Sequence, residues 1–205
     1  MKSREGSGRD SYHHGDLRRA LVERGLALLA REGPAGFSLR ALAQELGVSH
    51  AAPYRHFASR KELLSAIVAE SRERFTEALR ASIAGPGEAG DKIYLLGEAY
   101  VRFYLENPAI LYLFSFLPGQ LAAEGETLGE IFLRDKTRGE DESFGLLRST
   151  VAGLVEGFPE LSERDVLLGY WAKAHGLATL LVSMPDYFGD EDLRAGISRV
   201  IRQAF

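Results

Sequence analysis

Apolar residues recur along the chain at helical spacing, and no segment alternates as a strand would. Leu17, Ala20, Leu21, Leu28 and Leu29 form a first stripe, opened by Asp16 as N-cap and closed at Gly33-Pro34. Phe37 is expected to pack beneath it. Ser38 caps a much shorter second helix, in which Leu39, Leu42, Ala43 and Leu46 fall at i, i+3, i+4 and i+7. Gly47 stops that helix, because glycine takes the left-handed conformation a tight turn needs. Ser49 is expected to cap a third helix running through Phe57. Ser59-Arg60-Lys61-Glu62 then reads as a capping box: the serine bonds the amide three residues on, and the glutamate reaches back. The helix it opens carries Leu63, Leu64, Ile67 and Val68 and is expected to run to about Ile83.

Gly85 to Gly90 is the one linker-like break. Beyond it the pattern predicts helices over Ile93–Glu106, Ala109–Leu117, Ser143–Gly157, Ser162–Met184 and Asp190–Ala204. A loop-rich region from Gly125 to Glu142 is expected to include a helix around Leu128–Leu133. The fold class is all-α, with no internal repeat.

Composition adds three constraints. At 205 residues with 45% hydrophobic and 26% charged positions, the chain can bury a real core. No apolar run approaches the roughly 18–20 residues a membrane helix needs. The absence of cysteine removes disulfides, thiolate metal sites and a cysteine nucleophile, and fits a reducing, cytoplasmic home. The polar, glycine-rich first 13 residues read as a flexible arm rather than a signal peptide. The adjacent His13 and His14 cannot present one ligand face, so no metal site is expected there.

Charge changes the picture most. The net charge is −4, but residues 1–61 hold eleven Lys and Arg against six Asp and Glu, and the rest holds fourteen against twenty-three. A basic third on an acidic body is the asymmetry of a nucleic-acid-reading module joined to something else. From Leu46 to Lys61 the basic residues are His50, Arg55, His56, Arg60 and Lys61, with no carboxylate among them. Two short helices around a glycine turn, packed on a preceding helix, form a helix-turn-helix, whose second helix meets the major groove. A carboxylate there would face one phosphate charge per ~1.7 Å of duplex axis. Ala51 and Ala52 allow close approach, and alanine can touch a thymine methyl. Pro53 falls at the fourth position of the expected helix, where it removes one backbone bond and disfavours helical angles at Ala52.

Ser38-Leu-Arg-x-Leu-Ala-x-x-Leu-Gly-Val-Ser49, Tyr54-Arg-His-Phe57 and Ser59-Arg-Lys-Glu-Leu-Leu64 together resemble the DNA-binding domain of TetR-family transcriptional regulators. The resemblance covers about residues 14–75, and 76–205 would then be a helical effector-binding and dimerisation domain. It implies that Tyr54 and Lys61 contact backbone phosphates, and that Ser49, His50, Ala51 and Ala52 face the groove. Ser38, Arg40, Pro53, Arg55 and His56 complete the candidate DNA-binding set, with packing as the competing role for His56. Pro53 departs from the aliphatic residue usual in the family, which bears on the base contacts. Trp171-Ala-Lys-Ala-His175-Gly176 is similar to the tryptophan and histidine-glycine pair of one TetR subgroup.

In the second half, Leu167, Tyr170, Trp171, Ala174, Leu177, Ala178 and Leu181 form a long stripe, with Gly169, Ala172 and Gly176 allowing close approach. Leu193, Ile197, Val200, Ile201 and Ala204 form another. Two such helices per chain would make a four-helix homodimer bundle; the competing reading is that both stripes close the chain's own core. Aromatics concentrate at Tyr94, Tyr100, Phe103, Tyr104, Tyr112, Phe114, Phe116 and Phe132. Tyr100, Phe103, Tyr104, Phe116, Trp171 and His175 are the candidate ligand contacts, against ordinary core packing. The expected function is a homodimeric regulator binding operator DNA, a repressor released by a small apolar or aromatic effector, with no cofactor. The alternatives are a helical interaction module without DNA binding and an all-α enzyme. The second lacks support, since no nucleophile elbow, Glu-x-x-His pair or phosphate loop is present.

Overall fold

The computed structural model describes residues 14–115, 142–156, 160–188 and 196–203. These are helical, with no strand among them. The helices are α1 (His14–Gly36), α2 (Leu39–Glu45), α3 (Arg60–Ser82), α4 (Ala89–Glu106), α5 (Pro108–Ser115), α6 (Glu142–Val155), α7 (Glu163–Ser183), α8 (Pro185–Phe188) and α9 (Ile197–Arg202), with a 3-10 turn at Pro53–Arg55. The chain divides after Ile67, within α3, into two compact units.

In the first unit, α1 buries Leu17, Leu21, Val22, Leu28 and Leu29, and Phe37 closes the layer from below. Gly33 (φ 68°) interrupts the regular helix, which accounts for the predicted stop at Gly33-Pro34. Gly25 permits the approach of α1 to α3: a Cβ there would lie 2.7 Å from Ile67 Cδ1. The Ser38 Oγ accepts the Ala41 amide at 3.1 Å and starts α2, which buries Leu39, Leu42 and Ala43. α2 ends in a Schellman turn, in which the Val48 amide donates to Ala43 O at 3.0 Å and the Gly47 amide to Gln44 O at 3.2 Å. Gly47 takes φ 66°, the left-handed conformation expected of it.

The stretch expected as a third α-helix from Ser49 to Phe57 differs. The Ala52 amide donates to Ser49 O at 2.9 Å, Arg55 to Ala52 O at 3.2 Å and His56 to Pro53 O at 3.0 Å, an i to i+3 pattern. The reason is Pro53: it has no amide to reach the Ser49 carbonyl, so the chain tightens into turns. Pro53 opens the 3-10 turn rather than standing at a helix's fourth position. Ala52 still adopts helical angles (φ −62°, ψ −45°), against the expectation that a following proline would exclude them.

In the second unit, α4 buries Ile93, Leu96, Val101, Phe103 and Tyr104 and packs against α6, α7 and α9. Asn107 turns the chain into α5, its side-chain amide donating to Phe103 O at 2.9 Å. α9 crosses α4 at Gly97, where a Cβ would sit 3.0 Å from Ile201 Cγ2. The last helix stops at Arg202 instead of Ala204, since Gln203 is extended (φ −62°, ψ 120°). The expected helix around Leu128–Leu133, the first residues of the Asp190–Ala204 segment, the arm over 1–13, Phe116, Phe132 and Leu193 lie outside the described residues.

Candidate functional site

Two places carry side chains that core packing does not account for. The first is the segment after Gly47. Phe57 is buried and donates its amide to Pro53 O at 3.0 Å, and Pro53 is buried too, so this pair fastens the segment to the unit. Ser49, His50, Ala51, Tyr54 and Arg55 are exposed, and Ala52 and His56 are half-buried. Tyr54 is 56% exposed, which excludes a core role for its ring. Arg40 and Lys61 are exposed, and Ser38 is occupied as the cap of α2. The edge of this segment therefore presents hydroxyl, imidazole, methyl, phenol and guanidinium groups with no carboxylate among them.

Local bonds separate structural cations from available ones. Arg31 pairs with Glu32 at 2.8 Å and Glu45 at 3.3 Å. The Arg60 Nε donates to Phe37 O at 3.0 Å and its guanidinium lies 5.8 Å from the Phe37 ring centre, so it ties the start of α3 to the core. Arg40, Arg55 and Lys61 carry no ion pair with a described residue. The capping box forms in a modified way: Ser59 Oγ accepts the Glu62 amide at 3.1 Å, and the Glu62 carboxylate accepts the Ala58 amide at 2.6 Å rather than that of Ser59.

The second place lies in the helical body. The Tyr100 hydroxyl is 2.8 Å from His175 Nδ1, joining α4 to α7. Tyr100 also packs on Tyr104 (centroids 4.9 Å) and Phe75 (5.3 Å), and Phe75 reaches Phe103 at 5.2 Å. Outward, the His175 ring lies 6.4 Å from Trp171, and Trp171 lies 6.3 Å from Phe144. Burial holds the His175 pKa below the usual imidazole value. Thr179, one turn further along α7, has a buried hydroxyl with no hydrogen-bond partner among the described residues. A separate pair, Tyr94 and Tyr170, pushes the Tyr170 hydroxyl up to about 12, chiefly through burial.

The candidate ligand residues thus split. Tyr100 and His175 meet directly, Trp171 is 42% exposed beside them, and Phe103 and Tyr104 are buried in the aromatic cluster. Phe75, the centre of that cluster, is not among the residues singled out by sequence; its place on the apolar stripe of α3, seven residues after Val68, is the signal that points to it. The candidate dimer residues split as well. Ala174, Ala178, Leu181, Ile197 and Ile201 are buried within the one chain, and Leu167, Tyr170, Leu177 and Val200 are half-buried. The apolar residues of α7 that face outward are Leu168, Trp171 and Leu180, followed by Met184. A stripe nearly as wide as a helix has an inner and an outer flank, and spacing alone does not tell them apart. No cluster of metal-ligating side chains occurs among the described residues, and no described helix is long and apolar enough to cross a membrane.

Solved structures share this fold. A structure from Rhodococcus sp. RHA1, of a protein of unknown function, shares 30% identity with a TM-score of 0.65 and covers 94% of this chain and 93% of its own. A TetR/AcrR-family regulator from Thermobifida fusca shares 24% identity with a TM-score of 0.60, covering 93% and 99%. FadR from Bacillus subtilis, in complex with stearoyl-CoA, has a TM-score of 0.70 at 16% identity, covering 89% and 95%, and so shares the fold. No curated protein matches the sequence. The family model for bacterial regulatory proteins of the tetR family matches residues 21–67, from within α1 through α2 and the 3-10 turn to the start of α3: this part of the chain is a TetR-family domain.

Proposed function

We propose that the protein is a homodimeric operator-binding regulator, a repressor released by a small apolar or aromatic effector. The observation that carries DNA binding is the exposed, acid-free edge of Ser49, His50, Ala51, Tyr54 and Arg55, fastened by buried Pro53 and Phe57. Ser49, His50, Ala51 and Ala52 read bases; Tyr54, Arg55 and Lys61 meet phosphates, which fix register without carrying sequence information. Dimerisation is supported by the exposed apolar residues of α7, Leu168 and Trp171 on one face and Leu180 on another, with half-buried Leu167, Tyr170 and Leu177 on the same helix. A cytoplasmic location follows from this role.

The effector reading rests on the aromatic cluster around the Tyr100–His175 bond and on the buried Thr179 hydroxyl, which has no partner among the described residues, a polar point for a mostly apolar ligand. The complex of the fold neighbour FadR with stearoyl-CoA is consistent with an apolar ligand. The effector would act by binding the DNA-free arrangement better, with a coupling of roughly 1–3 kcal/mol that must be reciprocal. The test is a footprint on DNA flanking the protein's own gene, repeated with a metabolite panel. A protected site of two half-sites about one helical turn apart is expected. Protection of no site, or of a single half-site, would contradict the dimeric regulator.

A further inference from the structure

Arg18 differs from Arg31 and Arg60 in how its guanidinium is held. It is exposed on α1, its guanidinium carbon 5.1 Å from the centre of the buried Phe57 ring. Arg31 is taken up by two glutamates, and Arg60 spends a donor on a backbone carbonyl. Arg18 has neither, and no described carboxylate pairs with it. A cation–π contact uses no N–H donor, so the five donors of this guanidinium stay available. The same contact restricts the long side chain, which lowers the entropic cost of any bond those donors then make.

Its anchor matters as much as its charge. Phe57 closes the segment that holds Tyr54 and Arg55, through its amide bond to Pro53 O at 3.0 Å, and α1 packs against the 3-10 turn. Arg18 is therefore bound to the DNA-reading segment itself, although it lies 31 residues before Ser49 in sequence. We propose that Arg18 is a phosphate-binding residue: Phe57 holds its guanidinium beside the reading segment, and its free donors meet a backbone phosphate of duplex DNA. This rests on the DNA-binding reading above.

The experiment uses the full chain, the footprinted duplex and a scrambled duplex of equal length, with binding followed by fluorescence anisotropy against KCl concentration. Arg18→Gln should weaken binding to both duplexes alike, by about tenfold, as expected for one charge-assisted bond. Its plot of log affinity against log salt should be shallower by about 0.9 for each phosphate no longer neutralised. Arg18→Lys, which keeps the charge, should recover most of the slope. Thermal unfolding of each variant separates binding from packing on Phe57. If Arg18→Gln keeps the wild-type affinity and slope, or only lowers the unfolding midpoint, Arg18 merely covers Phe57 and the proposal falls. If the wild type binds neither duplex, the DNA-binding reading fails and takes this proposal with it.

Discussion

The Tyr100 hydroxyl and His175 Nδ1, 2.8 Å apart, tie α4 to α7 through one polar bond set in aromatic surroundings. A neutral imidazole with its hydrogen on Nε2 accepts the tyrosine hydrogen bond at Nδ1, and one with its hydrogen on Nδ1 donates to the tyrosine oxygen. Burial favours that neutral form, so the folded-state pKa of His175 lies below its unfolded value. The unfolded chain then binds more protons than the folded one just below the unfolded pKa of about 6.5. Stability from this group is complete above that value and is lost as pH falls through the folded pKa. Urea midpoints between about pH 5 and pH 8 should decline on the acid side in the wild type and flatten in His175→Asn. Glu98, held below the usual carboxylate range chiefly by its bond with Ser198, contributes only in a lower window, so the two effects separate. Tyr100→Phe should cost about 1 kcal/mol by the same measurement.

Pro53→Leu tests why the reading segment is not an α-helix. Leucine restores an amide that can donate to Ser49 O, so residues 50–56 should shift toward α-helical backbone chemical shifts in NMR spectra. Stability should change by no more than about 1 kcal/mol, because the regained bond is offset by greater freedom in the unfolded chain. The preferred operator should change, since His50 and Ala51 move. Unchanged chemical shifts would mean that Pro53 is not what tightens the turn.

The cap of α3 gives a stability prediction. Ser59→Ala removes the acceptor of the Glu62 amide and should lower stability by about 1 kcal/mol. Glu62→Gln can still accept the Ala58 amide and should cost less. Denaturant titration compares the two, and an equal or larger loss in Glu62→Gln would place the anchoring charge in the glutamate.

The outward apolar residues of α7 give an assembly prediction. Trp171→Glu puts a charge beside Leu168, three residues back on the same face of α7, and should weaken self-association through that face by roughly tenfold or more, read by sedimentation equilibrium. Ala178→Glu, at a position fully buried within the chain, should instead unfold the protein. Unaltered association in a folded Trp171→Glu would exclude this face as the interface.

Much of the fold is legible in the sequence, for local reasons. Ser38, Gly47 and Ser59 act within four residues of themselves, and each does what its chemistry demands. Pro53 is conspicuous in the sequence, but its effect is larger than its position suggests: the missing amide changes the bonding of the whole segment, not of one residue. The cation–π contact of Arg18 with Phe57 joins positions 39 apart, which no periodicity reveals. Nor does spacing say which flank of the α7 stripe turns inward; that is set by α4, packing on the helix that buries Ala174, Ala178 and Leu181.

The acid-free edge after Gly47 is held to bind duplex DNA through phosphates, and the rest of the functional reading depends on this. Its most direct test is the salt dependence of duplex affinity for the wild type, Tyr54→Phe and Lys61→Ala. The wild type should lose affinity linearly in log salt, with a slope of about −0.9 for each phosphate contacted. Lys61→Ala should make the slope shallower by about one phosphate's share and weaken all duplexes alike, and Tyr54→Phe should weaken them alike with a smaller effect on slope. A flat wild-type plot, or a Lys61→Ala protein with altered sequence preference and an unaltered slope, would contradict the account.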